Sequence, residues 1–223
     1  MDKRLEAIAA LVRPGSRIAD IGTDHAYLPV ALVGSGKCPS ALACDVREGP
    51  LQNAKKAVDA AGLADRIECR LGDGLSVVGA DEADEVIVAG MGGETIAAIL
   101  AACPWAAEPG RRYLLQPMTH AEDLRRYLFA NGFIIERELT VAVGRHVYLI
   151  METEAAGASP CKDEVAAWLG RIGTEEPTPS DLTYLRLVRR RLQNRLHAEE
   201  DAADIRRVLD EIDKRMKKGA LTP

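Results

Sequence analysis

Between residues 17 and 152, short runs of aliphatic and β-branched residues alternate with longer amphipathic stretches. Only at the end of this region do two such runs meet with no helix between them. Strands are predicted at 17–22, 41–46, 66–70, 85–89, 111–116, 133–143 and 145–152, and helices at 27–33, 49–61, 94–102 and 121–130. Such alternation builds βαβ units and therefore a parallel sheet. Gly34, Gly36, Gly62 and Gly132 stand where the helices should stop. Gly144 joins the last two runs directly, as a β-hairpin requires. The predicted fold class is α/β: a doubly wound sheet of seven strands closed by an antiparallel hairpin.

The pattern changes near Glu154. Residues 155–160 are small and turn-rich and read as a linker. A short helix is expected at 162–171, then a break with two prolines at 174–180, then a helix from Asp181 with Ser180 as its cap. Leu185, Val188, Leu192 and Leu196 form one apolar stripe. Ala202, Ile205, Leu209, Ile212 and Met216 form another. With a turn at 197–200, these two stripes predict an antiparallel, coiled-coil-like hairpin. The expected division is a main domain at 1–154 and a helical appendage at 160–218.

Composition bounds the function classes. At 47% hydrophobic and 28% charged, 223 residues can bury a sizeable core. No apolar run reaches the roughly 18 residues of a membrane helix. Residues 1–12 read as a short amphipathic helix rather than a secretory signal. The five cysteines (Cys38, Cys44, Cys69, Cys103 and Cys161) form no C-x-x-C pair. They point to a reducing, cytoplasmic setting and to neither a zinc site nor a disulfide framework. A net charge of −5 means that any nucleic-acid contact must come from local basic patches.

The chemistry-bearing residues follow successive strands. Asp20-Ile21-Gly22-Thr23-Asp24-His25 comes between the first strand and its helix, where a nucleotide loop belongs. It holds a single glycine, so the dinucleotide pattern G-x-G-x-x-G is absent. Asp24 at the helix mouth would repel a pyrophosphate. A sulfonium cofactor with a free amino group tolerates that carboxylate, which favours S-adenosyl-L-methionine (SAM) over a nicotinamide dinucleotide. The structural alternative for Asp24 is an N-cap. Asp45, with Val46 beside it, ends the second strand where ribose hydroxyls are accepted. Gly72-Asp73-Gly74 forms a turn that presents a carboxylate to an adenine amino group, or is simply a turn. Gly90-Met91-Gly92-Gly93-Glu94 lies at the centre of the sheet's ligand edge. Gln116-Pro117-Met118 follows the fifth strand, with Gln116 suited to a base edge.

These motifs in this order resemble the bacterial tRNA (adenine-22-N1)-methyltransferase family. The resemblance spans about the first 150 residues. It rests on D-I-G-T-D-H-A-Y-L-P (20–29), D-V-R-E-G-P (45–50), G-D-G-L, A-G-M-G-G and L-Q-P. It implies a Rossmann-like SAM domain with a C-terminal helical domain, a tRNA partner and no metal. By position, Asp20, Gly22, Asp24 and His25 would line the methionine part of SAM. Asp45 and Val46 would hold the ribose, Gly72, Asp73 and Gly74 the adenine, and Gly90, Met91 and Gly92 the floor. Gly93, Gln116 and Pro117 would face the target base. Met118 departs from the family pattern, which has asparagine there.

N1 of neutral adenine carries a free lone pair, so transfer needs no strong base and rests on positioning. The product base is cationic, and Asp24 and Glu94 are the carboxylates expected to stabilise that charge. Arg186, Arg189 and Arg190, within a cluster that includes Arg191 and Arg195, are the expected RNA contacts; their alternative is a solvated face. No obligate protein partner and no membrane are expected. Two other functions stay open at this point: a SAM enzyme acting on a small molecule or protein, and a non-catalytic binding module.

Overall fold

The computed structural model describes residues 1–157, 163–196 and 202–219. Its seven strands run in the order β3-β2-β1-β4-β5-β7-β6. They are β1 (Ile18–Ile21), β2 (Ala41–Asp45), β3 (Ile67–Leu71), β4 (Glu85–Gly92), β5 (Arg112–Thr119), β6 (Phe133–Val143) and β7 (His146–Ala155). The first five are parallel, and β7 enters antiparallel between β5 and β6. The hairpin closes with Val143 opposite His146, across a turn in which Gly144 takes a φ of 58°. This is the Rossmann-like sheet expected from the pattern.

Strands β1 and β2 are buried throughout, which is why they read as unbroken apolar runs. Alternate residues feed two core clusters. Ile18, Ile87 and Leu114 meet α1 (Lys3–Leu11), α2 (Tyr27–Gly34) and α3 (Glu48–Ala60) on one face. Ala19, Val88 and Leu115 meet α4 (Gly93–Ala101) and α5 (Ala121–Ala130) on the other. The tail helices α6 (Glu164–Leu169), α7 (Pro179–Leu196) and α8 (Ala202–Lys218) belong to that second cluster through Trp168, Leu185 and Ile212. Helix α7 packs on β6 and β7 as well as on α8.

Several boundaries differ from the pattern. Strands β4 and β5 run three residues further than expected, because their carboxyl ends pair through a bulge between Ala89 and Met91. Helix α7 starts at Pro179, and its cap is Thr178, not Ser180. Thr178 Oγ1 accepts from Asp181 N at 3.1 Å, and Asp181 returns a bond to Thr178 N at 2.9 Å. That reciprocal box, followed by proline at the first helical position, outcompetes a lone serine. The buried seam of α8 is Ile205, Val208, Ile212 and Arg215, so Leu209 and Met216 only flank it. Arg215 belongs there because its Nη1 donates to the carbonyls of Gly170 (2.9 Å) and Ile172 (2.7 Å). The short tail helix is capped by Asp163 and is six residues long. The turn expected at 197–200, most of the linker and Cys161 lie outside the described residues.

Two buried ion pairs lock this frame. Glu85, with no exposure, accepts from Arg13 Nε (2.6 Å), Arg13 N (3.1 Å) and Ser16 Oγ (3.1 Å), and pairs with Arg112 at 2.5 Å. This fixes the C-terminal end of α1 to the sheet. Arg125 pairs with Glu138 at 2.7 Å, both fully enclosed, and donates to the carbonyls of Ala167 and Trp168. This ties α6 to α5 and β6. Among the described residues, no helix is long and apolar enough to cross a membrane.

Candidate cofactor and acceptor site

Strand order reverses between β1 and β4, and at such a switch point the loops diverge and leave a crevice. A pocket of about 270 Å³ opens there, at the carboxyl ends of β1, β2 and β4. Its wall includes Gly22, Asp45, Val46, Gly72, Asp73, Gly74, Gly90 and Met91. It also includes Ile21, Arg47 and Ala89, which lie within the motifs but were given no role of their own, and Cys44, Thr95 and Ile99, which lie outside them.

The loop after β1 is pinned by backbone bonds from Gly22 N (2.8 Å) and Thr23 N (2.9 Å) to the Cys44 carbonyl. Gly22 has a φ of 81°, a left-handed conformation that favours glycine, and a Cβ there would have to displace the flexible end of the Met91 side chain. Asp45 is 5% exposed; its Oδ1 accepts from Arg47 N at 2.7 Å. No hydrogen bond to Oδ2 is seen among the described residues, which leaves it available to a hydroxyl donor. Asp73 is exposed on the turn, and a Cβ at Gly72 would strike Val77.

Asp20, which precedes the lining residues Ile21 and Gly22 on β1 and is not itself on the pocket wall, is 7% exposed. Burial pushes its carboxyl up to about 6, and the charge of Arg4 opposes that rise. The buried Thr23 hydroxyl sits near enough to favour the carboxylate but makes no hydrogen bond of good geometry. Asp24 and His25 are not part of the pocket wall. Asp24 is 61% exposed, 3.5 Å from His25, which stacks on Tyr27 at 5.2 Å. Asp24 is not the cap of α2 either: Ala26, at a φ of 49°, holds that place without a side-chain bond.

Gly92 and Gly93 turn the chain from β4 into α4. A Cβ at Gly93 would collide with the His120 carbonyl, so the residue lets α4 press against the loop after β5. Glu94, His120 and Asp123 offer ligand atoms within 4.8 Å of one another. His120 also lines a second cleft of about 190 Å³, with Pro117, Met118, Trp168, Tyr184, Leu187 and Arg191. Glu94 itself lines neither cavity, but its neighbour Thr95 lines the first and His120, within 4.8 Å of it, lines the second. Gln116 is enclosed, with no exposure. Its Oε1 accepts from Arg4 Nη1 (2.5 Å) and Gly90 N (3.1 Å), and its Nε2 donates to the Pro117 carbonyl (3.0 Å). The side chain expected at a base edge thus has its amide occupied by the protein.

The tail arginines divide. Arg189 pairs with Asp213 at 3.4 Å, and Arg191 with the buried Glu122 at 2.7 Å. Arg191 and Arg195 also lie over the Trp168 ring. Arg186 and Arg190 share an exposed face with Leu187 and make no ion pair among the described residues.

The pocket fits a sulfonium nucleoside. Two carboxylates, Asp45 and Asp73, line it, with the buried Asp20 just before the lining residues Ile21 and Gly22, and its glycines leave room where side chains would intrude. A pyrophosphate would meet the same carboxylates unfavourably.

The comparisons agree with this chemistry. A methyltransferase-domain family matches residues 1–151. The tRNA (adenine(22)-N(1))-methyltransferase of Bacillus subtilis is 35% identical over 172 residues, 77% of this chain and 72% of that protein. The Streptococcus pneumoniae protein Sp1610, assigned to the tRNA m1A22 methyltransferases and solved with SAM, superposes with a TM-score of 0.85. It is 32% identical, and the match covers 97% of this chain and 99% of that one. The M. capricolum TrmK bound to S-adenosyl-homocysteine superposes at 0.80, 28% identical, over 98% of each chain. The chain belongs to the bacterial tRNA (adenine-22-N1)-methyltransferase family of SAM-dependent methyltransferases.

Proposed function

We propose that this protein transfers a methyl group from SAM to N1 of an adenine in tRNA, at position 22 as in its curated Bacillus subtilis relative. The observation that carries this reading is the acidic, glycine-floored pocket at the β1/β4 switch point, opening beside a second cleft toward the tail. SAM, when bound, supplies the electrophilic methyl group. Asp45 holds the ribose, Asp73 the adenine and Asp20 the amine. Gly22, Gly90 and Met91 shape the floor.

The acceptor side is built from Gly93, Pro117 and Glu94. Gln116 contributes by fixing the Gly90 amide rather than by touching the base. A lone pair on N1 removes the need for a base before attack, so the residues' task is alignment and charge. Glu94, though exposed like Asp24, is better placed to stabilise the cationic product, because it lies within 4.8 Å of His120 on the wall of the second cleft and next to Thr95 on the first. Reaching N1 requires the base to leave its stack. The phosphate contacts fall to Arg186 and Arg190, with residues 160–218 serving as the RNA-docking appendage to a catalytic domain at 1–154. Such a protein works where tRNA is, in the cytoplasm.

The test is transfer of labelled methyl from SAM to unmodified tRNA transcripts, followed by mass spectrometry of the nucleosides. N1-methyladenosine that depends on enzyme and SAM is the expected result. SAM binding with no methylated nucleoside across a full transcript set would overturn the RNA assignment and favour a small-molecule or protein acceptor. In the same assay, Glu94→Gln is expected to lower turnover about 10- to 100-fold with little change in SAM affinity. Unchanged turnover would remove Glu94 from the mechanism.

A further inference from the structure

Strand β5 is held differently along its two sides. Its pairing with β4 continues to Thr119, opposite Gly92, whereas its pairing with β7 stops at Leu115, opposite Met151. Strand β7 stays paired with β6 as far as His146. The two neighbours therefore part at the ligand edge, and the second cleft lies in the gap. Pro117, Met118 and Thr119 line it from β5, and Val147 and Leu149 from β7. Leu187 and Val188 of α7 close it from the tail. Met118 and Leu187 are 50% and 53% exposed, so apolar surface is left open here on both sides.

The charges inside the cleft are already matched. Arg191 pairs with the buried Glu122 at 2.7 Å, and His120 is turned to Asp123 at 3.2 Å. The aromatic walls are set in advance as well. Arg126, Arg191 and Arg195 lie over the Trp168 ring, and the Tyr184 hydroxyl accepts from Arg125 Nη2 at 3.4 Å. Such walls lose little freedom when a ligand enters. Arg186 and Arg190, exposed and without an ion pair among the described residues, flank Leu187 on α7. An apolar slot bordered by exposed cations suits an unstacked nucleobase and its phosphate.

The cleft shares no lining residue with the cofactor pocket, so a base lying in it is not the one that meets the methyl group. It is nonetheless beside that base, because His120 on its wall reaches within 4.8 Å of Glu94 on the acceptor side. Extruding the target adenine uncovers the faces of its neighbours in the strand.

We propose that the cleft between β5, β7 and α7 binds the base of a nucleotide adjoining the target adenine, with its phosphate on Arg186 and Arg190. The inference rests on the tRNA reading above. The test is steady-state methylation of tRNA transcripts that carry an abasic residue immediately 5′ or 3′ of the target, by wild type and by Leu187→Asp. One of the two abasic transcripts should raise KM about 5- to 100-fold, the range of a lost base stack, and the other should behave as intact. Leu187→Asp should raise KM for the intact transcript by a similar factor, leave kcat and SAM affinity unchanged, and add nothing on the affected abasic transcript. Leu187→Met should match wild type. Should circular dichroism show the tail disturbed, Met118→Asp carries the same comparison from the other wall. Equal weakening by Leu187→Asp on intact and abasic transcripts would make the cleft general RNA surface and overturn the proposal. Abasic transcripts that are methylated like the intact one would also overturn it and leave the cleft to a protein or small-molecule partner. Wild type that methylates no transcript would overturn the tRNA reading itself, and this inference with it.

Discussion

Glu85 and Asp20 are both buried carboxylates on adjacent strands, yet their surroundings are opposite. Glu85, at the amino end of β4, is bonded to Arg13 and Ser16 and paired with Arg112. Asp20, on β1 toward the ligand edge, has a poorly aligned Thr23 hydroxyl and the charge of Arg4 near it. One carboxylate is complete without a ligand and fastens α1 to the sheet. The other is costly to ionise in the free protein, and a cationic group would relieve that cost. The contrast separates a frame that must not move from a site that is finished only on binding.

The largest expected effect sharpens the frame side. Glu85→Ala removes one of the two carboxylates paired with the buried Arg112, the other being Glu152 at 2.6 Å, and strips Arg13 and Ser16 of their acceptor, so it should cost about 3 kcal/mol in denaturant unfolding. A loss under about 1 kcal/mol, the scale of an exposed pair, would erase the distinction. Asp20→Asn should do the reverse. The folded protein holds the Asp20 proton more tightly than the unfolded chain, with a value raised from 3.8 to about 6. The stability this contributes is fully present below the unfolded value and is lost as pH rises through about 6. The amide should therefore raise the melting temperature of the free protein by a few degrees near neutral pH, as roughly 1–2 kcal/mol of buried-charge cost disappears. A drop in melting temperature would mean that Asp20 is a structural acid like Glu85. Gly93→Ala should cost about 1–3 kcal/mol by overpacking against His120 and should also displace Glu94. Stability and turnover both unchanged would show that α4 and the loop after β5 can part freely. The smallest effect concerns the surface. Arg186→Glu with Arg190→Glu should weaken tRNA binding several-fold and flatten its salt dependence without altering stability. Arg191→Glu should instead destabilise, because its partner Glu122 is buried.

Much of the fold was legible because burial imposes period. The parallel strands read as apolar runs, the helices as amphipathic ones, and Gly144 marked the hairpin. The glycine and aspartate positions of the pocket were legible because each follows a strand. Four features were not. Arg4 lies 112 residues from Gln116, and no local spacing reveals that bond. Gln116 is a polar residue at a ligand edge by position, and only the fold shows its amide turned inward. The α8 seam escaped a search for apolar stripes because one of its members is Arg215, buried on two carbonyls. Propensity ranks Ser180 as a cap, but the choice of Thr178 depends on its reciprocal bond with Asp181.

The most direct measurement is the pH dependence of S-adenosyl-homocysteine affinity by calorimetry, in wild type and in Asp20→Asn. Wild-type affinity should rise with pH and level off above about 6, as the carboxylate that receives the ammonium becomes ionised. The amide variant should bind about 10- to 100-fold more weakly near neutral pH and show no such rise. Equal affinities with matching pH profiles would contradict the account.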